Sequence, residues 1–164
     1  MPTNVYRGSD GTIALAVESG VEGDLAGAVS EQYSLTPIGR VTGVTVRVTN
    51  DVKPFHELGQ RFATELRPGN INVHGSIDRA YINGALLKLM LGEAANSRPA
   101  GSFASPSFNL SVRLENPSLP GSSSTVTVMG VKLEEWQYQL PEDDFAMEKV
   151  NFRALWVKVE DATA

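Results

Sequence analysis

The chain has 164 residues, 41% of them hydrophobic and 20% charged, enough for one domain with a sizeable core and too apolar for wholesale disorder. It contains no cysteine, which removes disulfides, thiolate chemistry and cysteine-based zinc sites. The net charge is −5, and the 14 Lys and Arg residues are scattered, so the clustered cations that grip a nucleic-acid backbone are missing.

The opening MPTNVYRGSDG has no basic segment followed by an apolar run, so no secretory signal is expected. Residues 85–91, the longest apolar cluster, are interrupted by Lys88 and too short to cross a bilayer, so a soluble protein made in a cytoplasm is expected. A first strand is predicted at 11–18, where Ile13, Leu15 and Val17 alternate with Thr12, Ala14 and Ala16 after a Ser-Asp-Gly turn. Residues 19–36, rich in Gly and small polar side chains, read as a long mobile loop of the kind that orders on a partner. Val44, Val46 and Val48 alternate with Thr45, Arg47 and Thr49, predicting a half-buried antiparallel strand over 40–49. In the next segment Leu58, Phe62 and Leu66 fit either a helical face or a strand; Gly59 and the Pro68-Gly69 turn favour a strand at 58–67. A further strand is predicted at 70–77, with Asn72, His74 and Ser76 on its polar face.

Asp78 is a suitable N-cap for a helix reaching about Leu91 and stopped by Gly92, with Ile82, Leu86, Leu89 and Met90 as its apolar stripe. Residues 92–107 form a second small-residue loop, 108–115 alternate as a strand, and 116–124 are turn material. The strand at 125–140 changes parity twice, from Val126 and Val128 to Val131 and Leu133, then to Trp136, Tyr138 and Leu140. Each slip implies an extra residue, so β-bulges are expected near 129–130 and 134–135, bending the strand. The last strand, about 148–160, ends apolar on both faces through Leu155, Val157 and Val159 beside Trp156, and is therefore expected to be covered on both sides, by the helix or by another subunit.

Chemistry-bearing constellations are hard to find. His56 and His74 lack an HExxH-type pattern, and no serine lies in GxSxG. Glu142-Asp143-Asp144 lacks the alternating spacing of a calcium loop and reads as a solvated turn; Glu134-Glu135 falls at a predicted bulge. No Gly-rich stretch has phosphate-loop spacing. Trp136 and Tyr138 share a face on which a base or sugar could stack, although residues so placed beside an apolar Leu140 more often belong to a core. No catalytic residue, metal or cofactor is expected, and the chain is not expected to be an enzyme.

The runs GRVTGVTV (39–46), ELGQR (57–61), ELRPGNINVHGSIDRAYI (65–82) and KVNFRA (149–154) resemble tail tube proteins of tailed bacteriophages and related viruses, a superfamily that extends to the tube of type VI secretion. The resemblance implies a mainly β protein: an antiparallel β-sandwich or barrel with one flanking α-helix at about 78–91, formed by residues 1–164 as a single domain with an N-terminal arm at 1–10 and loops at 19–36 and 92–107. It further implies six copies per ring and stacked rings forming a hollow tube for genome ejection, in the virion tail after assembly in the host cytoplasm. Implied partners are copies of the chain itself, then sheath, baseplate and tape-measure proteins; passing DNA would be contacted weakly and without sequence specificity, and no membrane is involved. Inter-subunit candidates are Val44, Val46, Val48, Leu155, Val157 and Val159, and inter-ring candidates on the 19–36 loop are Val21, Asp24, Leu25, Val29 and Tyr33. The alternative is a β-sandwich module binding carbohydrate or peptide through Trp136 and Tyr138.

Overall fold

A computed structural model describes residues 5–162. Nine strands and two α-helices follow a short 3-10 turn at Gly8–Asp10. The strands are β1 (Gly11–Val17), β2 (Val41–Asn50), β3 (Lys53–Phe55), β4 (Glu65–Arg67), β5 (Ile71–Ala80), β6 (Phe108–Glu115), β7 (Ser123–Gln139), β8 (Met147–Ala154) and β9 (Trp156–Ala162); the helices are α1 (Val21–Tyr33) and α2 (Ala85–Leu91). Of the expected N-terminal arm, residues 1–4 lie outside the described residues.

One bent strand organises the sheet. The first half of β7 lies between β6 and β9, and its second half pairs with β8, which continues to β5 and β2; β1 pairs with the far side of β6. All these pairings are antiparallel, and together they give a mainly β, curled sheet closing a half-barrel, as the sequence led one to expect. Both predicted bulges are present. Opposite Phe108 and Leu110 the β7 partners are Val131 and Val128, and opposite Phe152 and Asn151 they are Leu133 and Glu135. Each extra residue bends β7 and turns the sheet over the core. At the first bend Gly130 has φ +67°, and the Leu155 side chain sits where a Cβ would project. Leu155 donates its backbone N–H to Met129 and breaks the expected last strand into β8 and β9.

The core joins both halves of the sheet to the helices: Ile13 and Leu15 of β1, Val73 and Ile77 of β5, Phe108 and Leu110 of β6, Val128 and Val131 of β7, Val150 and Phe152 of β8, and Leu86 and Leu89 of α2. Each such side chain contributes about 1.5–3 kcal/mol relative to exposure.

Three expectations need correction. Residues 19–36 are not a loop, since most of them form α1. Gly23, Ala26 and Val29 are its buried stripe, and a Cβ at Gly23 would overlap the Glu18 carbonyl, so a glycine that suggested a mobile loop permits close packing on the backbone that follows β1. The second helix begins at Ala85 rather than Asp78, because Asp78, Arg79 and Ala80 are held in β5 by pairing with Lys149, Glu148 and Met147. The N-cap is Gly84, and Asn83 just before it accepts the Ala85 N–H with its side-chain oxygen. The strand proposed at 58–67 shrinks to β4, leaving an irregular tip at 56–64 between β3 and β4.

Candidate assembly surfaces

β2 and β5 run on past the body of the protein as a two-stranded arm, β3–β4. Asp51 donates its backbone N–H to Asn70 across the base, and Gly69 donates its own to the Asn50 side chain; a Cβ at Gly69 would overlap the Asp51 carbonyl. In β3–β4 the cross-strand pairs are Lys53 with Arg67, Pro54 with Leu66 and Phe55 with Glu65. The tip turns through a Glu57–Gln60 backbone bond and Gly59, at φ +82°. Every residue from 51 to 72 is exposed, including Phe55, Leu58 (104%), Phe62 (87%) and Leu66. A lone two-stranded hairpin is marginal in water, and this one carries four large apolar side chains with no core beneath them. Apolar patches of that kind mark surfaces that another molecule covers.

A second apolar surface lies at the opposite end of the β2–β5–β8 sheet. Arg79 and Glu148 face each other across β5 and β8 and form an ion pair that is 1–2% exposed. The other Glu148 carboxylate oxygen accepts the Trp136 indole N–H at 2.9 Å, and Arg79 also donates to Asn83 at 2.9 Å. With those partners both charges are satisfied in the interior. From Trp136 a chain of rings leads outward: Trp136 to Tyr138, 4.7 Å between centroids, and Tyr138 to Tyr81, 5.3 Å. Tyr81, Ile82, Tyr138, Leu140 and Phe145 are exposed around the β7–β8 turn, which carries Glu142, Asp143 and Asp144.

The polar faces recognised in the sequence come into one plane. Thr45 lies opposite Ser76, Arg47 opposite His74 and Thr49 opposite Asn72, and β8 adds Asn151 and Arg153 to the same face. Arg153 pairs with Glu134 and Lys132 with Glu22, so the face carries both signs of charge. Neither histidine lies in a cluster of His, Asp or Glu that could hold a metal ion among the described residues.

The nominated residues divide. Val44 and Val46 face the core side at the β2 edge and are half-buried against it, while Val48 is exposed. Leu155 and Val159 are exposed and Val157 is half-buried, so among the described residues β9 is not covered on both faces. Among the supposed loop residues, Val29 is core and Tyr33 packs against it with the Lys88 ammonium 5.5 Å from its ring centre; Leu25 is half-buried, and only Val21 and Asp24 are exposed. Trp136 is half-buried against the core, its indole N–H is bonded to Glu148, and the Tyr138 ring lies 4.7 Å from its own. The arm was missed as a surface. Its signal was the clustering of Phe55, Leu58, Phe62 and Leu66 in a short segment flanked by Pro54 and Pro68.

The curled sheet and two helices are similar to the folds of chains in solved tube assemblies. No family model matches the chain, and no curated protein does. Among solved structures it is similar to a chain of the sheath–tube complex of an extracellular contractile injection system (PVC) in its extended state, at 13% identity and TM-score 0.60, over 98% of this chain and 92% of that one. It is also similar to a chain of the anti-feeding prophage tube-terminating cap (10% identity, TM-score 0.62, 99% and 95% covered) and to a chain of the SPP1 tail tube (9% identity, TM-score 0.60, 98% and 81% covered).

Proposed function

We propose that this chain is a structural subunit that polymerises into the hollow tail tube of a phage-like particle, through which a genome is delivered. The observation that carries the reading is a tube-protein fold along the whole chain combined with exposed apolar surface at both ends of one sheet. The outer edges of β2, β9 and the second half of β7 add to it, since each lacks a partner strand among the described residues. Unpaired edges favour pairing with another copy. In this reading six copies join through those edges, with Val48, Leu155 and Val159 near the junctions, and the mixed-charge polar face of β2, β5, β8 and β7 lines the lumen. A lumen of balanced charge lets DNA slide without capture or sequence preference. Sheath, baseplate and tape-measure proteins would be the further partners, the virion tail the final location and the host cytoplasm the place of assembly. No step of this role calls for catalysis or a cofactor.

Negative-stain microscopy of the purified protein over a range of concentration and salt tests this. Rings or tubes are expected; a monodisperse monomer under every condition overturns the reading.

A further inference from the structure

We propose that Asn83 is a self-modifying residue, which the fold converts to aspartate through attack by the following backbone nitrogen, with loss of ammonia. One copy of the chain suffices, whether or not it forms a tube. The edges and ends of the sheet leave the buried ion pair without a role. Apolar replacement of such a pair is often neutral or stabilising, so packing alone does not call for Arg79 and Glu148.

Asn83–Gly84 is the one Asn-Gly step in the sequence. Without a Cβ on the second residue, nothing hinders closure of a five-membered imide. A Cβ at Gly84 would meet no atom within 4 Å, so the surroundings leave room as well. The Gly84 N–H donates no hydrogen bond among the described residues and its nitrogen is free to react. The Asn83 side chain receives two donors, Arg79 Nη2 at 2.9 Å and the Ala85 N–H at 3.1 Å. Neither partner can accept, so the amide oxygen is the atom that faces them. A bond to the residue two positions on is an Asx turn, which curls the side chain back over the Asn83–Gly84 peptide.

Attack of the Gly84 nitrogen on Asn83 Cγ, its proton passing to solvent, puts negative charge on that same oxygen. A guanidinium and a backbone N–H already bonded to it form an oxyanion hole. Arg79 is held in place, since Glu148 accepts its Nε–H and the Trp136 indole N–H together. Collapse breaks the Cγ–Nδ2 bond, ammonia leaves with a proton from solvent, and a succinimide remains. Water then adds to one of the two imide carbonyls. Addition at Cγ gives aspartate, and addition at the backbone carbon gives isoaspartate; one water is consumed for each ammonia released. The two donors activate the Cγ carbonyl, so the fold directs water there, whereas unfolded Asn-Gly peptides favour isoaspartate. The new carboxylate keeps both bonds, the one to Arg79 now charge-assisted.

The full chain is held at mildly alkaline pH beside a urea-unfolded sample. Peptide mapping by mass spectrometry follows Asn83, and enzymatic methylation counts isoaspartate. Folded Asn83 is expected to convert roughly tenfold faster than unfolded, part of the ~100-fold that one positioned oxyanion donor provides, with aspartate as the main product. Conversion no faster in the folded chain overturns the proposal, because the two hydrogen bonds then only restrain the side chain. Arg79→Met/Glu148→Leu, with its fold checked by circular dichroism, is expected to lose the acceleration and shift towards isoaspartate; an unchanged rate and ratio removes Arg79 from the reaction. Asn83→Asp makes the product directly and is expected to match or exceed the parent in Tm. A clearly lower Tm means that the site does not accept the carboxylate and overturns aspartate as the directed product.

Discussion

Replacing Glu148 with Ala is expected to be among the most damaging single changes in this protein, although the residue lies on no edge or arm. The carboxylate holds two donors at once, the buried Arg79 guanidinium and the Trp136 indole N–H. Its loss leaves a charge 1% exposed with only Asn83 as partner. Breaking a buried ion pair from one side costs about 3–5 kcal/mol, and an orphaned buried donor about 1–3 kcal/mol, with part of the two counted in common. A net loss of about 4 kcal/mol is therefore expected. For a domain of this size that lowers Tm by roughly 8–16 °C, at about 2–4 °C per kcal/mol. Urea and thermal unfolding by far-UV circular dichroism, at concentrations too low for assembly, measure it. The paired variant Arg79→Met/Glu148→Leu removes both charges at similar volume and is expected to recover all but about 1 kcal/mol, the remainder belonging to the indole. A loss below about 1 kcal/mol for Glu148→Ala, or a paired variant as unstable as the single one, refutes the claim that an uncompensated charge is the cause.

Gly23→Ala separates local from tertiary effects: helix propensity alone favours it by about 1 kcal/mol, but overlap with the Glu18 carbonyl should lift α1 from β1, so a lower Tm is expected. Gly75→Ala would press on the Thr45 carbonyl and the Phe152 ring, and a loss near the upper end of the ~1–3 kcal/mol range for overpacked cores is expected by urea unfolding. Glu22→Gln breaks the half-exposed pair with Lys132 and is expected to change stability by less than about 1 kcal/mol in the same assay.

Most strands were legible because alternation reports a half-buried face directly. The parity slips in β7 also located both bulges, since one added residue must move the apolar set to the other face. α1 was obscured by its own packing. Val21, Leu25, Val29 and Tyr33 recur every fourth residue, but Gly20, Gly23 and Gly27 suggested a loop when Gly23 in fact lets the helix lie close to the backbone that follows β1. Asp78 looked like a cap because nothing local reveals that β8, some seventy residues later, will hold it in a strand. The buried Arg79–Glu148 pair was invisible for the same reason. As for the assembly surfaces, the core partly covers Val44, Val46 and Val157 and leaves Val48, Leu155 and Val159 exposed, and the free apolar arm emerged only once its lack of a packing partner was known.

Edges and ends act in perpendicular directions. Hydrogen bonds from the outer edge of β2 point sideways, so a copy pairing there lies alongside. The arm extends along the strands, so a copy meeting it lies end to end. β2 has ten residues, no proline and little charge, the kind of edge that aggregates unless a partner takes it up. In the proposed tube the sideways contact closes into a ring and the end contact repeats without limit. The two are then separable. Replacing residues 56–64 with an Asn-Gly turn keeps the Phe55–Glu65 pair at the end of a two-residue hairpin and removes Leu58 and Phe62. Because those residues touch no core, stability is expected to stay within about 0.5 kcal/mol of the parent. Microscopy should then find single rings where the parent forms tubes. Tubes of normal length from the shortened chain would mean that stacking depends on some other surface.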